Sequence, residues 1–358
     1  MTSENVQADE INQSEGQQAA NNFAAQARAE ESLTELKSRA AGGDEVIAFK
    51  FGGTSLLGAD RMLHAAQIVR SSAQTSSVVV IVSAMKGVTD RLLAIGSALV
   101  SGQATAARAE ADGVVSTHLA VLNDLRLEED DDLRVRREIQ ALGRDLSHDV
   151  SNNLRPLAVS ELLDRLASYG ERLSARLFAA ALEKSDVAAV PVTSSDFVRT
   201  CETFRDARPD LLETRQRGRE VLLPLLADGL VPVVTGFIGA APDGRITTLG
   251  RNSSDFSGAI IAHVVDADEL VIWTDVDGIF TANPRENQEA RLLHEMSYEE
   301  AHALAKSGAK VLHAKVLPLA AETDMVVWVR NTFNPAGRGT RIGPPLEASS
   351  LADDGGKQ

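Results

Sequence analysis

Two rhythms of apolar residues alternate along the chain. Short unbroken runs, such as the one entering Lys50 and Ser77-Val-Val-Val-Ile-Val-Ser83, have the pattern of strands buried on both faces of a parallel sheet. Between them lie stretches whose apolar positions recur near every 3.6 residues, the period of an amphipathic helix. Taken in order, the pattern predicts a strand from Val46 into Lys50, a helix over Ala59 to Val69, the strand Ser77 to Ser83 and a helix through Val100. Residues 104 to 182 read as mostly helical. A second strand-rich stretch opens with Val187 to Val192. Leu230 to Gly239 then reads as one strand, Pro242-Asp-Gly-Arg245 as a hairpin turn and Ile246 to Leu249 as the return strand. A helix over Asp255 to Val265, a strand over Glu269 to Trp273, helices over Ser297 to Ser307 and Val316 to Ala321, and a strand over Met325 to Val329 complete the series. Such alternation implies an α/β fold, a three-layer αβα sandwich with a mostly parallel central sheet. Ligands in these sheets sit beyond the C-terminal ends of the strands.

Residues 1–44 break the pattern. They are rich in Gln, Asn, Ala, Ser and Glu, and almost no large apolar residue precedes Leu33. Such a segment cannot bury enough surface to offset its ordering entropy, so a disordered tail is expected. A transient helix over Phe23 to Lys37 is compatible with it, and a helix that folds on a partner is the sharper alternative. Residues 344–358 read as a second polar tail. A net charge of −15 argues against a general affinity for nucleic acid or an anionic membrane, since both need a basic face. The single cysteine, Cys201, excludes an internal disulfide framework and a multi-cysteine metal site. No stretch is long and apolar enough to span a bilayer, and no basic-then-apolar leader opens the chain. A cytoplasmic location is expected.

The residues with chemistry gather at predicted strand ends. After the first strand, Lys50-Phe-Gly-Gly-Thr-Ser55 combines a lysine, two glycines and a helix start, the makings of an anion site. It is not a Walker loop, because the lysine precedes the glycines, and a plain tight turn is the bland alternative. Ser83-Ala-Met-Lys-Gly-Val-Thr-Asp90 offers hydroxyls and amides that could equally cap the next helix. Tyr169-Gly-Glu-Arg-Leu-Ser-Ala-Arg176 reads as a Gly-Glu pair opening a helix, where a glutamate is ordinarily helix-dipole chemistry. In Thr247-Thr-Leu-Gly-Arg-Asn-Ser-Ser-Asp255, Arg251 can grip a carboxylate, and Asp255 can cap a helix or hold Lys50. Ile272-Trp-Thr-Asp-Val-Asp-Gly-Ile-Phe-Thr-Ala-Asn-Pro-Arg285 looks superficially like a calcium loop, but it lacks the spaced ligands and terminal Glu of an EF-hand. Glu128-Glu-Asp-Asp-Asp132 reads as a solvated helix start or loop, and His313 as a packed structural histidine.

Together these strings resemble the aspartate kinases of the amino-acid kinase superfamily. At least five motifs stand in the expected order between about Ile47 and Gly343. The resemblance implies one catalytic domain over 45–343, with about 46–230 holding most of the acceptor site and about 231–343 most of the nucleotide site. It implies ATP-dependent phosphorylation of the L-aspartate β-carboxylate to 4-phospho-L-aspartate, with Mg2+, at the entry to lysine, threonine and methionine synthesis. Lys50 and Asp255 become the catalytic pair. Ser55, Ser83, Thr89, Glu171, Arg251 and Ser254 become acceptor contacts, Glu171 facing the substrate ammonium. Lys50, Gly52, Gly53, Thr274, Asp275, Phe280, Arg285, Lys310 and Val311 become nucleotide contacts; no metal ligand set is implied. The chain departs from the family at Lys86, at Asn252-Ser253 and at Ala314, where a proline is usual. A homo-oligomer and a separate regulatory polypeptide are compatible with the family. Its members usually continue into paired ACT-type regulatory modules, whereas here only Pro344 to Gln358 follow, so this chain by itself is expected to be insensitive to lysine and threonine. The alternatives are a sister kinase acting on acetylglutamate, glutamate or a nucleotide monophosphate, and a non-catalytic pseudokinase that regulates a partner.

Overall fold

The computed structural model describes residues 45–152, 158–251, 253–282, 284, 286–306 and 312–345. The two predicted tails lie outside the described residues, apart from Pro344 and Pro345. The first strand, β1 (Val46–Phe51), is the centre of an eight-stranded sheet. On one side of it follow β2 (Ser77–Val82), β4 (Val231–Thr235) and β3 (Ala189–Val192); on the other, β7 (Glu269–Thr274), β11 (Val326–Asn331), β12 (Thr340–Ile342) and β10 (Glu295–Met296). All neighbours pair in parallel except β11 with β12. Residues before and after 230 therefore contribute strands to one sheet.

Successive side chains on a strand point to opposite faces, and each face has its own core. Phe49, Phe51, Val80 and Val82 pack under helices α1 (Ala59–Ala73), α2 (Val88–Val100), α3 (Ala104–Leu125), α4 (Glu129–Asn152) and α5 (Val159–Lys184). Ala48, Val79, Ile81 and Ile272 pack under α6 (Leu211–Ala227), α7 (Ser254–Val264), α8 (Tyr298–Lys306) and α9 (Val316–Glu322). The three predicted layers are present. Glu129 to Asp132 form the first turn of α4, where acidic groups complement the helix dipole. No helix among the described residues is long and apolar enough to cross a membrane.

The structure adds short strands the apolar pattern did not predict, among them β10 and β12 at the sheet edge, and departs from the expected elements in three further places. Leu230 to Gly239 is not one strand: β4 ends at Thr235, the chain turns at Phe237 with φ of +68°, and β5 (Ile238–Ala240) forms a separate antiparallel ribbon with β6 (Ile246–Thr248). Helix α6 had no counterpart in the apolar pattern because Gly218 and Pro224 interrupt it. Asp210 starts the helix by accepting the Glu213 N–H at 3.0 Å. The Gly-Glu pair at 170–171 lies well inside α5 rather than at its start. A mid-helix glycine costs about 1 kcal/mol relative to alanine, and here packing demands it: a Cβ on Gly170 would stand 2.7 Å from the Ala84 Cβ.

Candidate active site

A cleft of about 560 Å³ opens at the C-terminal ends of β1, β2 and β7. Lys50 points into it from β1. In the sheet its backbone lies between Ile81 and Ile272, so the ammonium finds no polar neighbour there. Its partner comes from the first turn of α7, where Asp255 Oδ1 is 2.6 Å from Lys50 Nζ, with only 9% and 14% of the two side chains exposed. Ser253, not Asp255, occupies the N-cap position of that helix. Asp255 thus holds Lys50, one of the two roles open to it. Ser254, beside Asp255, accepts a hydrogen bond from the Ser83 hydroxyl at 2.9 Å, which ties α7 to the end of β2.

The turn after β2 is squeezed between two glycines. A Cβ on Gly53 would sit 2.5 Å from the Ala84 carbonyl oxygen, and Gly170 abuts Ala84 from the opposite side. The Gly53 carbonyl accepts the Lys86 N–H at 3.0 Å. Close approach delivers the Ala84 N–H to Glu171 Oε1 at 3.1 Å. The other carboxylate oxygen of Glu171 is buried and has no hydrogen-bond partner among the described residues. Burial pushes the Glu171 carboxyl up to about 8, against which the Ala84 N–H pulls it down. Once ionised, a carboxyl group with one buried oxygen unmatched is a ready receptor for a cation. Replacing Gly53 with alanine should force this turn apart, costing about 1–3 kcal/mol of stability together with much of the activity. Denaturant unfolding and turnover of the variant check both; unchanged values would show that the turn yields freely.

Ser83, Thr89, Glu171, Arg251, Ser254, Asp255, Lys50, Gly52, Gly53 and Thr274 all line this cleft. Arg251 stands at its edge, 72% exposed and 3.0 Å from Asp90. Lys86 is exposed. A second cavity, of about 420 Å³, lies between α4, α5 and the β5–β6 hairpin; its buried Asp149 already takes two hydrogen bonds from Arg165 and one from Tyr169. The first cleft pairs a lysine at a strand end with a carboxyl oxygen unmatched among the described residues.

A model of the amino acid kinase family matches residues 45–331, most of the chain. The chain belongs to the amino acid kinase family. Among curated relatives, lysine-sensitive aspartokinase 3 of Escherichia coli K12 is 36% identical over 308 residues, which cover 84% of this chain and 66% of that one. Aspartokinase 1, chloroplastic, of Arabidopsis thaliana is 31% identical over 319 residues, covering 87% and 54%. The chain thus spans two thirds or less of the length of these relatives. Its fold superposes on E. coli aspartokinase III solved in complex with aspartate and ADP, with a TM-score of 0.73 and 33% identity over 85% of this chain and 66% of that one. The same enzyme solved with lysine and aspartate gives a TM-score of 0.75 at 34% identity, with the same coverage.

Within this family frame, three expected site residues do not line the cleft. Ser55 is fully buried, its hydroxyl 2.6 Å from that of Thr332, where it ties the glycine turn to the end of β11. It is a packing residue here, not one facing an acceptor. Asp275 is exposed beyond β7, and Phe280 is half-buried in a small ribbon of β8 (Ile279–Phe280) with β9 (Leu292–Leu293). Arg285, Lys310 and Val311 lie outside the described residues. His313 is half-buried and stacks on Phe256 at 6.2 Å, with burial lowering its basicity, as a packed histidine should. Sequence reasoning missed Arg205, Phe237 and Thr248, all of which line the cleft. Arg205 lies in an irregular loop and carries no periodic signal. Phe237 was hidden inside the run misread as a single strand.

Proposed function

We propose that the chain is an aspartate kinase, transferring the γ-phosphoryl group of ATP to the β-carboxylate of L-aspartate to give 4-phospho-L-aspartate and ADP. The observation that carries this reading is the pairing, in one cleft, of the Lys50–Asp255 ion pair with the unmatched Glu171 carboxylate. A phosphoryl donor needs positive charge where its oxygens gather negative charge. An amino-acid acceptor needs an anion for its ammonium. The relatives named aspartokinase, and the relative solved with aspartate and ADP, support the same assignment.

In this reading the β-carboxylate oxygen attacks the γ-phosphorus in line, the bond to the ADP oxygen breaks, and no proton moves. The acceptor is already ionised at neutral pH, so no general base is required. Lys50 neutralises charge passing between donor and acceptor, and Asp255 fixes its ammonium. Glu171 takes the substrate ammonium, with Ser83, Thr89, Ser254 and the Arg251 guanidinium at the cleft edge on the acceptor, and Thr274 toward the nucleotide. Mg2+ would be held mainly by the phosphates of ATP, where it would neutralise charge on their oxygens. Residues before about 230 would hold most of the acceptor site and those after it most of the nucleotide site. Arg285, Lys310 and Val311 remain assigned to the nucleotide by motif alone. A cytoplasmic location is part of the same proposal.

Hydroxylamine trapping of the acyl phosphate, with ATP, Mg2+ and each candidate acceptor in turn, tests the assignment. Aspartyl hydroxamate is the expected product. Turnover of glutamate, acetylglutamate or a nucleotide monophosphate without turnover of aspartate would overturn it.

A further inference from the structure

We infer that Thr332 is a positioning residue that holds the glycine turn after β1 in its phosphate-binding shape, an inference that rests on the nucleotide reading above. Gly52 and Gly53 line the cleft, whereas Ser55 and Thr332 do not. The turn leaves β1 at Phe51 and crosses the end of β7, where the Gly52 N–H donates to the Trp273 carbonyl at 3.2 Å. Beyond β7 it reaches the end of β11, the next strand of the sheet. There Ser55 meets Thr332.

Thr332 is fully buried, and each of its polar groups is committed to a different segment. Its hydroxyl is 2.6 Å from that of Ser55, close enough for the two to share one short hydrogen bond. Its backbone N–H donates to the Thr274 carbonyl at 2.8 Å, which carries the β11–β7 ladder on past Asn331 and fixes the residue that lines the nucleotide side of the cleft. Its carbonyl accepts from His64 Nε2 on α1 at 2.7 Å; a carbonyl can only accept, so that nitrogen carries a proton. His64 stacks on Phe333, with ring centroids 6.4 Å apart. Arg61 lies over the same ring and donates to the Thr54 carbonyl at 2.7 Å. The last two residues of the glycine turn are thus both tethered to the end of β11.

Two consecutive glycines let the turn bring its amides up to a phosphate, and the same freedom makes an unrestrained turn costly to order. Without side chains they give the turn nothing of its own to pack. Backbone donors serve a phosphoryl group best when they are already in place, because any ordering left to the moment of binding is subtracted from the affinity. The Ser55–Thr332 hydroxyl pair supplies that restraint from outside the cleft. Its loss should be felt by the ligand that the glycine amides bind, the nucleotide, far more than by the acceptor held at Glu171.

The test uses Ser55→Ala, Thr332→Val, Thr332→Ser and the double variant Ser55→Ala with Thr332→Val. Each is read by thermal unfolding, by calorimetric binding of ADP with Mg2+, and by KM for ATP and for aspartate in hydroxamate trapping. Thr332→Val keeps the branched shape and both backbone bonds but leaves the Ser55 hydroxyl buried without a partner. The double variant removes that hydroxyl as well and so should fold even where the single variant does not. Kd for ADP and KM for ATP should rise about fivefold or more in Ser55→Ala, in Thr332→Val and in the double variant alike, while KM for aspartate stays within about twofold of wild type. Thr332→Ser keeps the hydroxyl and should stay within about twofold of wild type for both nucleotides. Unchanged nucleotide affinity in the double variant, whatever its melting temperature, would mean that the pair only packs the interior and would overturn the inference. An equal rise in both KM values would overturn it too, as would two single effects that multiply in the double variant, since the hydroxyls would then not act as one. A wild-type chain that binds neither ATP nor ADP would overturn the nucleotide reading itself, whereas normal wild-type binding with an unmoved double variant sinks this inference alone.

Discussion

Replacing Lys50 with alanine should lower kcat by about 10²–10³-fold while changing the affinity for ATP far less, because its charge matters most while phosphate charge is moving. The variant also leaves Asp255 buried without a partner, and breaking a buried pair this way costs about 3–5 kcal/mol of stability. Activity and folding must therefore be separated. The double variant Lys50→Met with Asp255→Asn removes both charges and should recover most of the lost stability but none of the lost turnover. Single-turnover kinetics with thermal unfolding of both variants check this. Near wild-type turnover in either would remove Lys50 from the mechanism.

Changing Glu171 to glutamine should raise KM for aspartate by an amount equivalent to about 2–5 kcal/mol and leave KM for ATP nearly unchanged. Its pH signature is as informative as its size. With a carboxyl pushed up to about 8 by burial, Glu171 is protonated at pH 7 in the free chain and must lose that proton to receive an ammonium. The value of kcat/KM for aspartate should then rise about tenfold per pH unit from pH 6 and level off above 8. Glu171→Gln should flatten this limb. Stability carries the opposite sign. Above the ordinary carboxyl value of 4.5 the unfolded chain releases this proton while the folded chain retains it until about 8. Stability from this group is therefore complete below 4.5 and is lost as pH rises toward 8. The glutamine variant should match the wild type in unfolding at pH 4.5 and exceed it at pH 8. A wild-type profile flat between pH 6 and 8 would show that Glu171 stays ionised and would remove the basis for its role.

The two largest expected effects fall on residues that were legible in unequal measure. Lys50 could be read because a lysine ending an apolar run before two glycines is a local pattern, and strand ends are where α/β sheets present chemistry. Glu171 was named only through a motif, and its setting was misread. Seen locally, Tyr169-Gly170 looks like an interruption before a helix, and a first-turn glutamate would have sat near solvent with an ordinary acidity. Its setting depends on Gly170, which lets α5 press on Ala84, a residue far away in sequence, and one buried oxygen of Glu171 finds no partner among the described residues.

The same division runs through the whole molecule. Strand and helix periods are properties of neighbouring residues, so the sequence by itself determined the layers, the parallel sheet and the order in which chemical groups arrive at its edge. It also marked Asp255 as able either to cap a helix or to hold a lysine. Only the tertiary structure chose between these, by bringing the first turn of α7 over β1 to within 2.6 Å of the ammonium. It likewise withdrew Ser55 into a hydroxyl pair with Thr332 and brought Arg205 to the cleft, its backbone N–H held by the Asp164 carboxylate. Burial, charge pairing and close backbone approach depend on residues brought together by folding rather than by the chain, and those are the quantities that turn a list of polar residues into a site.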